Sequence, residues 1–240
     1  MRDFIYILIV IILIIAFALF YKSYNIKRGD KSKQPSKSAL EKLNRQLKKI
    51  DAKVGSKVFI RIFKREKILE LWVESHNKYK LLKVYKVCKY SGRLGPKLKE
   101  GDKISPEGFY KVTKFSLNPY SNYHLSINIG YPNEYDKSYK RTGSYIMIHG
   151  KCVSTGCFAM GDDNIEEIYY LVKNALFNGQ KYIDIHIFPF RLTYNNIKEY
   201  KDSRWYSFWL NLKEGYDFFE KTNKVPKISV ENKRYIIKEF

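Results

Sequence analysis

The chain has 240 residues and carries 45 Lys and Arg against 24 Asp and Glu, a formal charge of +21. With 45% hydrophobic and 16% aromatic residues, it falls outside the disordered, collagen-like and disulfide-scaffold classes. Three cysteines without zinc-type Cys/His spacing exclude a stapled mini-protein and a zinc finger, and the length allows one well-cored domain. The lysine surplus suits any polyanion, whether nucleic acid, anionic lipid or cell-wall polymer, and does not choose among them.

Phe4 to Phe20 contains no charge and is mainly Ile, Leu, Val and Phe. As a helix these residues span ~26 Å, against a hydrocarbon core of roughly 30 Å. The run reads as an uncleaved membrane anchor over residues 1–21, with Tyr6, Tyr21 and Tyr24 near the interfaces. The alternative is an export signal cut after Ala18, because Ala16-Phe17-Ala18 has a small-x-small form. Lys22, Lys27, Arg28, Lys31 and Lys33 follow the run, whereas Arg2 alone precedes it. Read literally, that bias places the rest of the chain in the cytoplasm.

Residues 22–37 form a polar, basic tether with Gly29, Pro35 and several serines. Ser38 and Glu41 make a capping box, and Leu40, Leu43, Leu47 and Ile50 recur at helical spacing. A short amphipathic helix is therefore expected before Gly55, closing a linker segment of 22–55.

Beyond Gly55 the pattern turns to short β-branched and aromatic runs. Strands are predicted at Val58–Phe63, Ile68–Glu74, Tyr79–Cys88, Phe109–Phe115, Tyr123–Ile129, Tyr145–His149 and Tyr182–Phe188. Asp163 and Glu166 suggest a capped helix whose Ile165, Ile168, Val172 and Ala175 share a face. After residue 193 the chain reads as a helical extension to about Lys224, packed on the domain through Trp205, Trp209 and Phe219. The fold class expected is mainly β with α, an α+β domain over 56–193.

One segment carries chemistry: His149-Gly150, then Ser154, then Gly156-Cys157, delivered by a strand and followed by a helix. A cysteine nucleophile needs a thiolate, while a free thiol has a pKa of about 8.5. A nearby imidazole can take that proton and a helix N-terminus favours the anion. Gly156 permits close backbone approach, so the amides of Gly156 and Cys157 are candidate oxyanion donors. Ser154 would orient the loop or the imidazole. The blander alternative is a buried small hydrophobe at Cys157 and a satisfied core histidine at His149. As metal ligands, His149, Cys152 and Cys157 lack an obvious fourth partner.

The pattern HG-x4-S-x-G-C resembles the active-site motif of the YkuD-type L,D-transpeptidases, most closely their YafK-like branch. Gly95-Pro96-Lys97, Glu100-Gly101-Asp102, Ser105 to Tyr110, Tyr123 to Ser126, Tyr131-Pro132-Asn133 and Arg141-Thr142-Gly143 extend the likeness in the same order. Ala159-Met160, Ile165 to Tyr169 and Phe188 to Arg191 continue it. The resemblance implies a β-sandwich-like catalytic domain acting on peptidoglycan stem peptides without metal or cofactor. It implies that Cys157 attacks the carbonyl of the diaminopimelate at stem position three, with His149 as base and Gly150, Ser154 and Gly156 in the supporting loop. An amine acceptor gives transpeptidation. Water gives hydrolysis, which trims D-alanine or releases a wall-linked lipoprotein. The family's usual SHGC-x-Arg differs here, with Thr155 and Ala159 at the variant positions.

Arg141, His124, Lys97 and Tyr131 are candidate substrate contacts, each with a plain structural alternative. Cys88 and Cys152 read as structural, and in an oxidising compartment a bond between them would leave Cys157 free. The peptidoglycan substrate favours export over the lysine count, giving a single-pass inner-membrane protein with its domain in the periplasm. An inactive wall-binding module is a competing reading. Nucleic-acid binding has only the charge in its favour.

Overall fold

The computed structural model describes residues 2–29 and 33–239, with side chains for 6–24 and 33–239. Lys31 and the side chains of Arg2, Lys27 and Arg28, on which the charge bias partly rests, lie outside that set. The elements run α1 (Arg2–Gly29), α2 (Lys37–Lys49), β1 (Val58–Phe63), β2 (Ile68–Ser75), β3 (Lys78–Lys86), β4 (Gly108–Val112), β5 (Leu117–Asn118) and β6 (Ser126–Asn128). They continue through α3 (Glu134–Ser138), β7 (Met147–His149), β8 (Phe158–Ala159), α4 (Asp162–Phe177), β9 (Ile183–Phe188), α5 (Tyr194–Lys198), α6 (Tyr206–Thr222), β10 (Lys227–Glu231) and β11 (Arg234–Lys238). The architecture is α+β.

Within α1, the 19 residues Tyr6–Tyr24 have a mean hydropathy of 2.5 and none is buried, so this helix is long and apolar enough to cross a membrane. Helix α2 starts earlier than its capping pattern predicts: Ser36, not Ser38, accepts the first-turn amide, from Ala39 at 3.2 Å. Its Leu43 and Leu47 are buried, as the spacing requires.

A five-stranded sheet, ordered β3-β2-β1-β9-β4, forms the centre. Strand β1 is buried along its whole length, which is why it shows no polar alternation. Its Val58, Ile60 and Ile62 join Ile127, Ile148, Ile165 and Ile168 in one core cluster, toward the second sheet (β5-β6-β7-β8) and α4. The opposite face meets α6: Phe59 lies 4.9 Å from Phe219, and Phe63 lies 6.3 Å from Tyr216, centroid to centroid. Arg61, between them, grips Glu70 at 2.8 Å and Glu220 of α6 at 2.6 Å.

The C-terminal segment is not purely helical. After α6, β10 and β11 pair antiparallel through Asn232-Lys233, both at positive φ (48° and 60°). Two such residues give the turn whose twist matches a tight hairpin. Tyr235 of β11 is buried against Phe109 and Tyr135, so the hairpin belongs to the core of this face. Trp209 and Phe219 are buried too, which makes the C-terminal aromatic cluster core.

Behind β1, Lys64 and Glu107 form a fully buried ion pair at 2.9 Å. The Lys64 ammonium also donates to the carbonyls of Arg93, Gly95 and Ser105, and Glu107 accepts from the Gly95 amide and the Trp209 indole. Burial pulls the Lys64 pKa down, and Glu107 opposes that pull. Removing one member strands the other without its partner, at a cost of about 3–5 kcal/mol. Glu107→Gln is therefore expected to lower unfolding free energy by about that amount in denaturant titration of the detergent-solubilised chain. A change within about 0.5 kcal/mol would contradict the assignment.

Candidate active site

Strands β7 and β8 are short and parallel, with Ile148 opposite Phe158 and His149 opposite Ala159. Cys157 immediately precedes β8 and so stands beside Met147. The Met147 amide donates to its Sγ at 3.4 Å, and the thiol points to the Tyr145 carbonyl at 3.6 Å. Alternate residues of a strand share a face, so Met147 and His149 project together. The imidazole's backbone position is one pleat repeat, about 7 Å, further along. The pairing thus sets Cys157 at the Met147 end of β7, two residues from His149, and the thiol's hydrogen bonds run to Met147 and Tyr145.

His149 is buried, and its Nδ1 lies 2.6 Å from the carbonyl of Gly150. A carbonyl only accepts, so the neutral ring carries its proton on Nδ1 and keeps a lone pair on Nε2. The ring of Tyr123 packs on it at 4.6 Å. Burial lowers the His149 pKa, opposed by the Gly150 bond. Burial raises that of the Cys157 thiol, opposed by the Met147 amide and by the charge of Lys97. Both shifts favour the neutral form of their group.

Two glycines are dictated, Gly150 by space and Gly156 by backbone conformation. A Cβ at Gly150 would lie 2.6 Å from Asp162 Oδ1 and 2.7 Å from the Tyr123 carbonyl. Gly156 sits at φ +135°. Ser154 orients the loop, not the imidazole: its hydroxyl donates to the Cys157 carbonyl at 2.7 Å and accepts from the Gly156 amide at 3.2 Å. In the unliganded protein the Gly156 amide is thus engaged by Ser154. The Cys157 amide has no hydrogen bond among the described residues. The α4 cap also differs from expectation, because Gly161 precedes the helix and Glu166 turns to His124.

The outlying candidates are tied into the framework. Lys97 is buried in an ion pair with Asp102 at 2.6 Å, reaching the thiol only through its charge. The hydroxyl of Tyr131 donates to the Lys97 carbonyl at 3.2 Å. His124 pairs with Glu166 at 2.7 Å, and Arg141 pairs with Asp136 at 2.8 Å beside the C-terminal segment. Sequence reasoning missed Tyr123, Tyr145, Ser105 and Glu166. Tyr123, Ser105 and Glu166 lie in stretches that the family resemblance singles out, whereas no signal pointed to Tyr145.

Cys88 and Cys152 form a disulfide, with Cα atoms 5.5 Å apart, and Cys157 is the free cysteine. Cys152 is therefore unavailable as a metal thiolate. The bond fastens the loop between His149 and Cys157 to the segment after β3. Beside it, Lys89 and Ala159 exchange two backbone hydrogen bonds, at 3.2 and 2.8 Å.

Residues 57–178 match the model of the YkuD family, the L,D-transpeptidase catalytic domain. The protein named "Putative L,D-transpeptidase YafK" of Escherichia coli K12 is 50% identical over 184 residues, 77% of this chain and 75% of that one. This chain belongs to the YkuD L,D-transpeptidase family. Among solved structures, the helical cell shape determining protein Pgp2 of Campylobacter jejuni is 20% identical, with a TM-score of 0.44, over 79% of this chain and 80% of that one. Bd1075 of Bdellovibrio bacteriovorus is 17% identical, with a TM-score of 0.40, over 74% and 78%.

The disulfide yields a thiol count. Denatured without reductant, the family member described here should release one reactive thiol per chain, and three after reduction. The Cys88→Ser, Cys152→Ser double variant should lose about 2–5 kcal/mol of stability. Three thiols before reduction would remove the cross-link from the account.

Proposed function

We propose that this protein carries out cysteine-dependent acyl transfer on peptidoglycan stem peptides, through a thioester on Cys157. The bond attacked is at the carbonyl of the diaminopimelate at stem position three, following the family resemblance. The supporting observation is the His149 tautomer: with Nδ1–H committed to Gly150, the Nε2 lone pair is left for the thiol proton, and Cys157 stands beside β7 at Met147, two residues from His149.

In the first half-reaction Nε2 takes the proton from Cys157 and the thiolate adds to the carbonyl carbon. The amide of Cys157 donates to the developing oxyanion. The carbon–nitrogen bond breaks, and the imidazolium returns its proton to the leaving amine of D-alanine or of a wall-linked lipoprotein lysine. In the second half-reaction His149 deprotonates an amine or a water, which attacks the thioester and releases the Cys157 thiolate to be reprotonated. Burial favours the neutral form of both groups, so thiolate forms as substrate arrives, when apo hydrogen bonds tighten.

The domain works outside the cytoplasmic membrane, held by α1. The Cys88–Cys152 bond supports that side, since structural disulfides persist in oxidising compartments. We weigh this above the lysine bias, because the substrate lies there as well.

The test is mass spectrometry of muropeptides incubated with the full chain beside Cys157→Ala. The substrates should include tetrapeptides, cross-linked dimers and lipoprotein-linked stems. Products that depend on Cys157 are expected: new amide bonds mean an amine acceptor, and loss of D-alanine or lipoprotein without a new bond means water. No Cys157-dependent product would leave an inactive wall-binding module.

The pH dependence has a defined sign. The base must be neutral, and burial places the His149 pKa below the ordinary value of about 6.5, so the acid limb of kcat/KM should fall below pH ~6.5. His149→Gln should abolish turnover. A wild-type limb at pH ~7 or above would contradict the buried base.

A further inference from the structure

A second recess lies at the C-terminal segment, apart from the Cys157 thiol. It is a cavity of about 560 Å³ between α3, Arg141, the start of α6 and the turn of the β10–β11 hairpin. Four cations line it, Arg141, Arg204, Lys233 and Arg234, and no carboxylate does among the described residues. Asp136 sits behind Arg141, and Glu214 pairs with the exposed Arg234 at 2.9 Å. Arg204 and Lys233 have no carboxylate partner among the described residues.

Arg141 is the anchor of this site. It is 7% exposed, with one nitrogen on Asp136 and its guanidinium within 5.4 Å of the Tyr135, Tyr139 and Phe208 rings. Its Nε is buried and has no hydrogen-bond partner among the described residues. A buried charged donor left unpaired is costly and calls for an acceptor. Helix α6 adds to the field, because it opens at the cavity with no side-chain cap and no acid in its first turn. The walls also carry flat apolar surface: Arg204 lies 4.5 Å over Trp205, and Lys233 lies 5.6 Å over Tyr139.

We infer that this cavity binds a carboxylate-bearing glycopeptide, holding an acidic group of the peptidoglycan stem away from the reacting bond. The cationic character rests on the cavity alone, and the identity of the anion rests on the proposed stem-peptide chemistry. Guanidinium groups match a carboxylate in fork geometry, and aromatic faces beside them suit a sugar or aliphatic stem more than a bare phosphate. One loop borders both places: Leu98 is on the cavity wall, and the adjacent Lys97 acts on the thiol through its charge.

The test is equilibrium titration of the detergent-solubilised full chain, carrying Cys157→Ala to stop turnover, with a disaccharide tetrapeptide. The Arg204→Ala, Lys233→Ala double variant, altered only at exposed positions, should weaken binding at least tenfold. Amidating the ligand's free carboxylates should do the same to the parent. Inorganic phosphate should not compete at equal concentration. Equal affinity in parent and double variant overturns the inference, as does indifference to amidation. Effective competition by phosphate makes the cavity a phosphate site and overturns the carboxylate assignment. No binding to the parent also overturns it, while wild-type turnover in the muropeptide assay decides separately whether the Cys157 reading stands.

Discussion

Cys157 is held in place by an ion pair that it does not touch. Lys64 draws together the carbonyls of Arg93, Gly95 and Ser105, and Glu107 closes the cage on the Gly95 amide and Trp209. Ser105 then passes the constraint on, since its hydroxyl reaches the Cys157 carbonyl at 3.3 Å, where Ser154 also donates. A buried pair of this kind gains little net stability, because desolvation offsets most of the attraction. What it gives is position. The loop from Arg93 to Glu107 has little regular structure of its own, and without fixed acceptors for Lys64 it would have many conformations of similar energy. The pair therefore links the central sheet, α6 and the cysteine loop.

The histidine is fixed by different means. Tyr123 packs on its ring, and the 119–124 turn that carries Tyr123 is held from two sides. Lys33, at the end of the tether, donates to the carbonyls of Pro119 and His124 at 3.1 and 2.8 Å. From the other side Glu166 of α4 takes the His124 imidazole. The sequence left His124 open between a substrate contact and a structural residue, and in the fold it clasps Glu166 of α4. The outcome is an imidazole whose tautomer is set by a backbone carbonyl, with burial favouring the neutral form of both His149 and Cys157.

Most of the central sheet was legible in the sequence because its strands are long and β-branched. Val58–Phe63 shows little alternation, and its burial along the whole length explains that, whereas in Ile183–Phe188 the isoleucines Ile183, Ile185 and Ile187 alternate with Asp184 and His186. Short strands were less legible. Phe158–Ala159 is too brief to carry a period, and the predicted strand from Phe109 to Phe115 ends at Val112, where a turn of 3-10 helix takes over. The terminal hairpin had a readable signal: Ile228 and Val230 alternate before Asn232-Lys233, and Tyr235 and Ile237 after it. The long aromatic helix just before it drew the reading toward α.

At the site, residue types were legible and partnerships were not. Gly150 and Gly156 could be marked because glycine has few reasons to flank a histidine and a cysteine, and the structure gives each a steric one. Which donor serves which acceptor depends on approaches across the fold, such as Ser91 and Ser105 meeting the Cys157 loop, that no local spacing encodes. The three cysteines illustrate the same limit. Their spacing leaves every pairing open, and the fold selects one because Lys89 runs alongside Ala159. That ladder brings Cys88 and Cys152 within bonding distance and leaves Cys157 the free cysteine, at the start of β8 beside Met147. The backbone pairing that places Cys157 beside β7 is thus also what keeps its thiol out of the disulfide.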